Sequence, residues 1–185
     1  MSIKTKSEIR SAAKAGVRAL SATQKAAASA SIFECVMRIE QVREASTVAL
    51  FSSLPDEPQT ASVIAKLAAT KRVVLPRVDG DEMEFYSYVP SAEGVSGALA
   101  KGAFGIDEPQ GDERVDSAEI DVVIVPGVAF TREGVRCGRG RGYYDKYLSS
   151  ADFRGFKIGV CYECQLFAEL PAEPHDVRMD MVVAR

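Results

Sequence analysis

The chain lacks several features that would have narrowed its class at once. No apolar run approaches the ~18 residues of a membrane-spanning helix, so no such span is expected. The early lysines lead into no apolar core of the secretory kind, so no leader is expected either. There is a single histidine, His175, and only four cysteines: Cys35, Cys137, Cys161 and Cys164. Cys161 and Cys164 form a lone C-x-x-C with no second pair of metal ligands at zinc spacing, so they read as incidental thiols in a reducing, cytoplasmic setting. A net charge of −3 argues against a general nucleic-acid binder, though not against a local basic site. Repeats, low-complexity tracts and linkers are also missing.

What is present reads as one α/β domain over residues 1–185. Apolar residues make up 46% and charged residues 26%, a globular balance. A first helix is expected over Lys4 to Leu20, with Ile9, Ala13, Val17 and Leu20 on one face and a basic stripe of Lys6, Arg10, Lys14 and Arg18 on another. Ser21 and Gln24 fit a capping box opening a second helix to about Val42. Strands are expected at Thr47–Ser53, at Arg72–Leu75 (stopped by Pro76), and at Glu82–Val89. Further strands are expected at Val122–Pro126, Lys157–Tyr162 and Met181–Ala184, with helices at Thr60–Ala69, Tyr143–Ser149 and Gln165–Leu170. Pro90 to Gly111 reads as loop, with a helical turn at Val95–Leu99 and an extended piece at Gly105–Pro109. The β-α-β alternation predicts a single-domain three-layer sandwich, a mostly parallel sheet with helices on both faces. Ligands of such sheets gather beyond the carboxyl ends of the strands. That edge holds Ser52, Glu57, Pro76, Arg77 and the loop after Pro126.

One stretch carries the chemistry. A buried strand ends at Pro126-Gly127, a polar loop follows, and then comes Arg136-Cys137-Gly138-Arg139-Gly140-Arg141-Gly142-Tyr143-Tyr144-Asp145. Alternating glycines let backbone N–H groups turn inward, and a helix is expected to follow. Three guanidinium groups within six residues suit phosphate or carboxylate. No Gly-Lys-Ser/Thr closes it, so it is not a P-loop, and its distance from the strand makes it a poor dinucleotide fingerprint. An anion cradle is the best local reading, with a plain surface turn as the alternative.

Taken whole, this stretch resembles the signature of the 5-formyltetrahydrofolate cyclo-ligases, also called 5,10-methenyltetrahydrofolate synthetases. Weaker landmarks along the chain also resemble that family: the basic first helix, Phe51 to Glu57 with Thr60, Leu75 to Arg77, Gly105 to Pro109, and a late segment leading to Asp180. The resemblance implies ATP- and Mg2+-dependent conversion of 5-formyltetrahydrofolate to 5,10-methenyltetrahydrofolate, through a phosphorylated formyl (imino-phosphate) intermediate, by a monomer that needs neither nucleic acid nor membrane. It implies that Lys6, Arg10, Arg136, Cys137, Gly138, Arg139, Gly140, Arg141, Gly142, Tyr143 and Tyr144 bind ATP. Ser52 and Glu57, together with Arg139 to Tyr143, would bind the folate. Arg139, Arg141 and Tyr143 would serve catalysis, and Asp145 and Asp180 would hold magnesium. Arg141 stands where many members carry Gly or Lys, and Thr131 where many carry an acid. The competing readings are a folate- or nucleotide-binding protein without turnover, an RNA-binding Arg/Gly loop, and another enzyme on the same layered fold.

Overall fold

Helix α1 (Lys6–Ala19) begins where Thr5 and Glu8 cap each other: Glu8 N donates to Thr5 Oγ1, and Thr5 N to the Glu8 carboxylate. Its buried face is Ile9, Ala13 and Val17, as the periodicity predicts. The computed structural model describes residues 5–90, 99–102, 107–109 and 111–185. Ser21 and Gln24 make the expected capping box, and α2 (Ala22–Arg38) follows. It does not run on to Val42. Ile39 is extended (ψ 131°), and α3 (Glu40–Glu44) starts afresh. Six further residues of unbroken helix turn roughly 600°, which would carry Val42 about a third of a turn away from the face of Val36. The break lets both be buried, at 0% and 1% exposure.

Strand β1 (Thr47–Ala49) is shorter than expected, and α4 (Ala61–Ala68) leads to β2 (Arg72–Asp79) and β3 (Glu82–Tyr88). β2 passes through Pro76 instead of stopping there. Leu50 N donates to Val74 O, so even-numbered backbone groups of β2 face β1, which has ended by Pro76. The missing N–H of Pro76 therefore leaves no partner unsatisfied. β4 (Leu99–Lys101) and β5 (Asp107–Pro109) pair antiparallel. Leu99 thus opens a strand rather than closing a helical turn, while residues 95–98 and 105–106 lie outside the described residues. β6 (Arg114–Val115) and β7 (Val122–Pro126) follow. The stretch after β7 is not plain loop but a short hairpin of β8 (Ala129–Phe130) and β9 (Arg136–Cys137). Thr131 is buried and closes it, its Oγ1 accepting from Val135 N. After α5 (Tyr143–Leu148) come β10 (Phe156–Cys161) and β11 (Met181–Ala184). The helix expected over Gln165–Leu170 does not form. Leu166 bridges to Phe130 and Phe167 N donates to Phe130 O, while Pro171 disfavours helical backbone at Leu170.

Seven strands make the main sheet, in the order β11-β10-β7-β1-β2-β3-β6. The first five run parallel, β3 runs against them, and β6 pairs antiparallel with β3. Side chains alternate between its faces. Ile124 and Val122 pack under α2, α3 and α4, whereas Val123 and Val125 pack with Tyr147 and Leu148 of α5. Helices cover both faces, the expected three-layer α/β arrangement. No helix among the described residues is long and apolar enough to cross a membrane.

Candidate functional site

A cavity of about 830 Å³ opens beyond the carboxyl ends of the parallel strands. Its walls come from α1 (Lys6, Arg10, Lys14), the β1–α4 loop (Ser52, Glu57), the second half of β2 (Pro76, Val78) and the end of β7 (Pro126). The segment from Gly138 to Asp145 and the late loop at Glu173–Asp176 complete it. Sequence-distant residues meet here because the strand ends converge on one edge.

The glycine-arginine loop is built on Arg136. Its side chain is 4% exposed, and Nη2 donates to Asp145 Oδ2 at 2.7 Å. Arg10 crosses from α1 and donates Nε to Gly138 O at 2.8 Å, tying the basic stripe to the loop. Gly140 (φ 106°) and Gly142 (φ 72°) occupy left-handed backbone that other residues rarely adopt, which turns the loop into α5. A Cβ on Gly138 would lie 2.9 Å from Arg136 Nη1. Cys137 is buried behind the loop, and burial pushes its thiol up. Arg141 is exposed on the rim and lines the cavity. Tyr143 lines it too, its hydroxyl donating to Gly80 O at 3.1 Å. The Tyr144 hydroxyl is buried without a hydrogen-bond partner among the described residues, and burial drives its ionisation far above a phenol's ordinary range.

Glu57 faces this loop across the cavity. It is only 5% exposed, and burial raises its carboxyl above the ordinary value despite the nearby Arg139 charge. Glu57 Oε2 accepts from Leu54 N at 3.0 Å, and Tyr162 Oη donates to Glu57 O at 2.9 Å. Arg139 spans the gap, its Nε and Nη2 both reaching Glu57 Oε1, at 3.1 and 2.8 Å. It also pairs with both oxygens of Asp56, through Nη1 at 3.2 Å and Nη2 at 2.5 Å. Ser52 lines the wall beside Glu57.

The two carboxylates assigned to a metal part company. Asp145 lines the cavity, and its Oδ1 accepts from Val177 N at 3.1 Å. Asp180 does not line it. The parallel register Ile158↔Met181 sets Asp180 at the amino edge of the sheet. There it accepts from Lys157 N and Lys157 Nζ, each at 2.8 Å. Among the carboxylates that line the cavity with Asp145, which also include Glu57, Glu108 and Glu173, Asp176 lies next to Val177, the residue that donates to Asp145. Asp176 accepts from Lys6 Nζ at 2.8 and 3.1 Å. Burial opposes its charge, yet Lys6 holds its carboxyl below the ordinary value.

A family model described as the 5-formyltetrahydrofolate cyclo-ligase family matches residues 2–185. The chain belongs to this cyclo-ligase family. The Escherichia coli K12 5-formyltetrahydrofolate cyclo-ligase is 35% identical over 155 residues, 80% of this chain and 82% of that one. The mouse 5-formyltetrahydrofolate cyclo-ligase is 26% identical over 186 residues, covering 95% and 91%. The solved Aquifex aeolicus 5,10-methenyltetrahydrofolate synthetase superposes with a TM-score of 0.84 at 34% identity, covering 97% of this chain and 89% of that chain.

In the cavity of this cyclo-ligase family member, sequence reasoning missed Asp56, Lys14, Met83, Glu108 and Asp176 as wall or partner residues. Asp176 reaches Lys6 across 170 positions, a meeting that no local pattern signals. The basic stripe was the available clue for Lys14, since Lys6, Arg10 and Lys14 all share the cavity face of α1. Arg77, placed at this edge by the strand reading, instead stacks on Tyr86 at 3.5 Å and donates to Gly111 O.

Proposed function

We propose that the cavity carries out the conversion of the family name, turning 5-formyltetrahydrofolate into 5,10-methenyltetrahydrofolate with ATP as the phosphoryl donor. The observation that carries this reading is Arg139, which links a loop suited to phosphate with the buried acid Glu57 in one cavity. ATP phosphates would lie among Lys6, Arg10, Arg141 and the backbone of Gly138, Gly140 and Gly142. Cys137 and Arg136 support that loop from behind, Arg136 acting as a buried clamp on Asp145. Glu57, raised by burial, suits the paired N–H donors of a pterin, with Ser52 beside it. Tyr143 and Tyr144 offer ring faces and a buried hydroxyl to the ligands.

The formyl oxygen takes the γ-phosphoryl group of ATP, giving an imino-phosphate and ADP. N10 of the folate then attacks the activated carbon and loses its proton, and phosphate departs with the former formyl oxygen. Such chemistry asks for in-line positioning and neutralisation of charge on the transferring group. Arg139 and Arg141 supply that charge without acting as bases.

Two carboxylates suit magnesium beside phosphate oxygens, and Asp145 and Asp176, which both line the cavity and now pair with Arg136 and Lys6, would supply them. Bound there, it would neutralise phosphate charge. Asp180 does not line the cavity and pairs with Lys157 instead, so it is not part of this assignment. The wall residues named here all come from one chain, the arrangement a monomeric enzyme would use.

The test is oxygen tracing. Substrate carrying 18O in its formyl group is turned over with unlabelled ATP, and the released phosphate is analysed by mass. One 18O per phosphate is expected. Unlabelled phosphate beside methenyl product would exclude the imino-phosphate route.

A further inference from the structure

The four contacts of Arg139 divide into two kinds. Its Nε and one Nη2 hydrogen go to Glu57, and both fall on the same oxygen, Oε1. A carboxylate oxygen has two lone pairs, so Oε1 is filled by this one side chain. Oε2 has already accepted Leu54 N. A pterin presenting two N–H donors to both oxygens therefore needs Arg139 to give up at least one bond to Glu57. The Asp56 contacts are not in the pterin's way. They use the other edge of the guanidinium, Nη1 and the second Nη2 hydrogen, in a bidentate pair on a side chain 34% exposed at the cavity rim.

We propose that Asp56 is a positioning residue for the reaction: it keeps Arg139 at the cavity when the folate takes Glu57. The inference rests on the cyclo-ligase reading given above. In the free enzyme Arg139 neutralises Glu57, which sits buried and otherwise holds an uncompensated charge. Folate binding substitutes its own donors on Glu57 and releases the Nε edge of Arg139 beside the pterin, where the formyl oxygen lies. Asp56 retains the far edge, so the freed edge turns toward the formyl oxygen instead of swinging to solvent. Phosphoryl transfer then meets a pre-aimed guanidinium. Without Asp56, folate still binds, but Arg139 is loose at the moment it is needed.

The prediction separates kcat from KM. Asp56→Asn should lower the single-turnover rate about tenfold, with KM for the folate changed by no more than about twofold. Asp56→Glu, which keeps the charge, should recover most of the rate. The decisive arm is a double-mutant cycle read in single turnover with enzyme in excess, so that slow variants stay measurable. In an Arg139→Gln background, Asp56→Asn should change nothing further. An equal loss in both backgrounds would make Asp56 a loop-structure residue and overturn the assignment, as would an undiminished rate in Asp56→Asn alone. A wild-type chain that forms no methenyl product would remove the functional reading itself, and this inference with it.

Discussion

At the scale of single residues, the balance around Glu57 governs the acid behaviour of the site. Burial raises its carboxyl and Arg139 partly offsets this, so the net value stays above the ordinary 4.5. In the proposed folate-binding role Glu57 is ionised to accept the pterin's donors, so the acid limb of kcat/KM for the folate should lie above that value. Arg139→Gln removes a charge that favours the carboxylate, so the limb should move to still higher pH. A pH–rate profile of both proteins checks this, and an unmoved limb would show that another group sets it. Asp145 and Asp180 differ just as sharply. Asp145→Asn and Asp176→Asn should weaken Mn2+ binding in the presence of a non-hydrolysable ATP analogue, read by electron paramagnetic resonance. Asp180→Asn should leave it intact and cost only about 0–1 kcal/mol of stability, since its pair with Lys157 is partly exposed. Both carboxylates were visible in the sequence. What was hidden was which end of the sheet each one reaches, because that depends on strand register.

Elements show how well local patterns travel into structure. The two capping boxes, at Thr5 with Glu8 and Ser21 with Gln24, concern neighbours three residues apart; the second was read directly, and α1 began close to its expected start. Strand and helix types in the β1–α4–β2 unit were likewise legible from apolar runs and turns. The failures came where tertiary contacts overrode the local pattern. Val42 needed the core more than α2 needed continuity, and Pro76 was harmless because β1 had already ended. Gln165 to Leu170 found strand and core partners instead of a helix. The signature loop makes its own prediction. Nothing lies within 4 Å of a Cβ built on Gly142, so Gly142→Ala carries backbone strain alone, about 1–2 kcal/mol. Gly138→Ala instead displaces the Arg136 guanidinium from Asp145 and should weaken nucleotide binding more than it lowers stability. Thermal unfolding and nucleotide titration of the two variants separate the effects. The same C-terminal loop is tied to α1 through Lys6 and Asp176. Since Lys6 holds the Asp176 carboxyl below its ordinary 3.8, that tie adds stability above this pH and loses it as pH falls through the folded value. Asp176→Asn should therefore flatten the acid limb of stability, as measured by denaturant unfolding between pH 2 and 5.

For the whole molecule, one sheet underlies both the core and the site. Ile124 on central β7 is fully buried, so Ile124→Ala should cost about 2–5 kcal/mol. We propose a single folding domain, so that loss should appear as one shifted cooperative transition. The three-layer architecture was legible because alternating β and α patterns admit few arrangements, and right-handed crossovers place their ligand edge. The cavity's contents were legible only in part. The Gly-Arg loop and Glu57 stood out as motifs and the basic stripe hinted at Lys14, but Asp56 and Asp176 look like ordinary surface charges until the chain folds. Asp56 and Asp176 accept from Arg139 and Lys6, two of the cations the sequence had assigned to ATP.

The central claim is that one cavity couples ATP to closure of the folate ring. Purified protein is mixed with 5-formyltetrahydrofolate and MgATP, and near-ultraviolet absorbance of the methenyl product is followed beside phosphate release. The account predicts product only when ATP is present, one phosphate for each ring closed, and both signals slowed on the order of a hundredfold in Arg139→Gln, a rate still measurable with enzyme in excess. Product formed at the same rate without ATP, or phosphate released without product, would contradict it. A folded chain that binds folate yet gives neither signal would be a binding protein and not a cyclo-ligase in action.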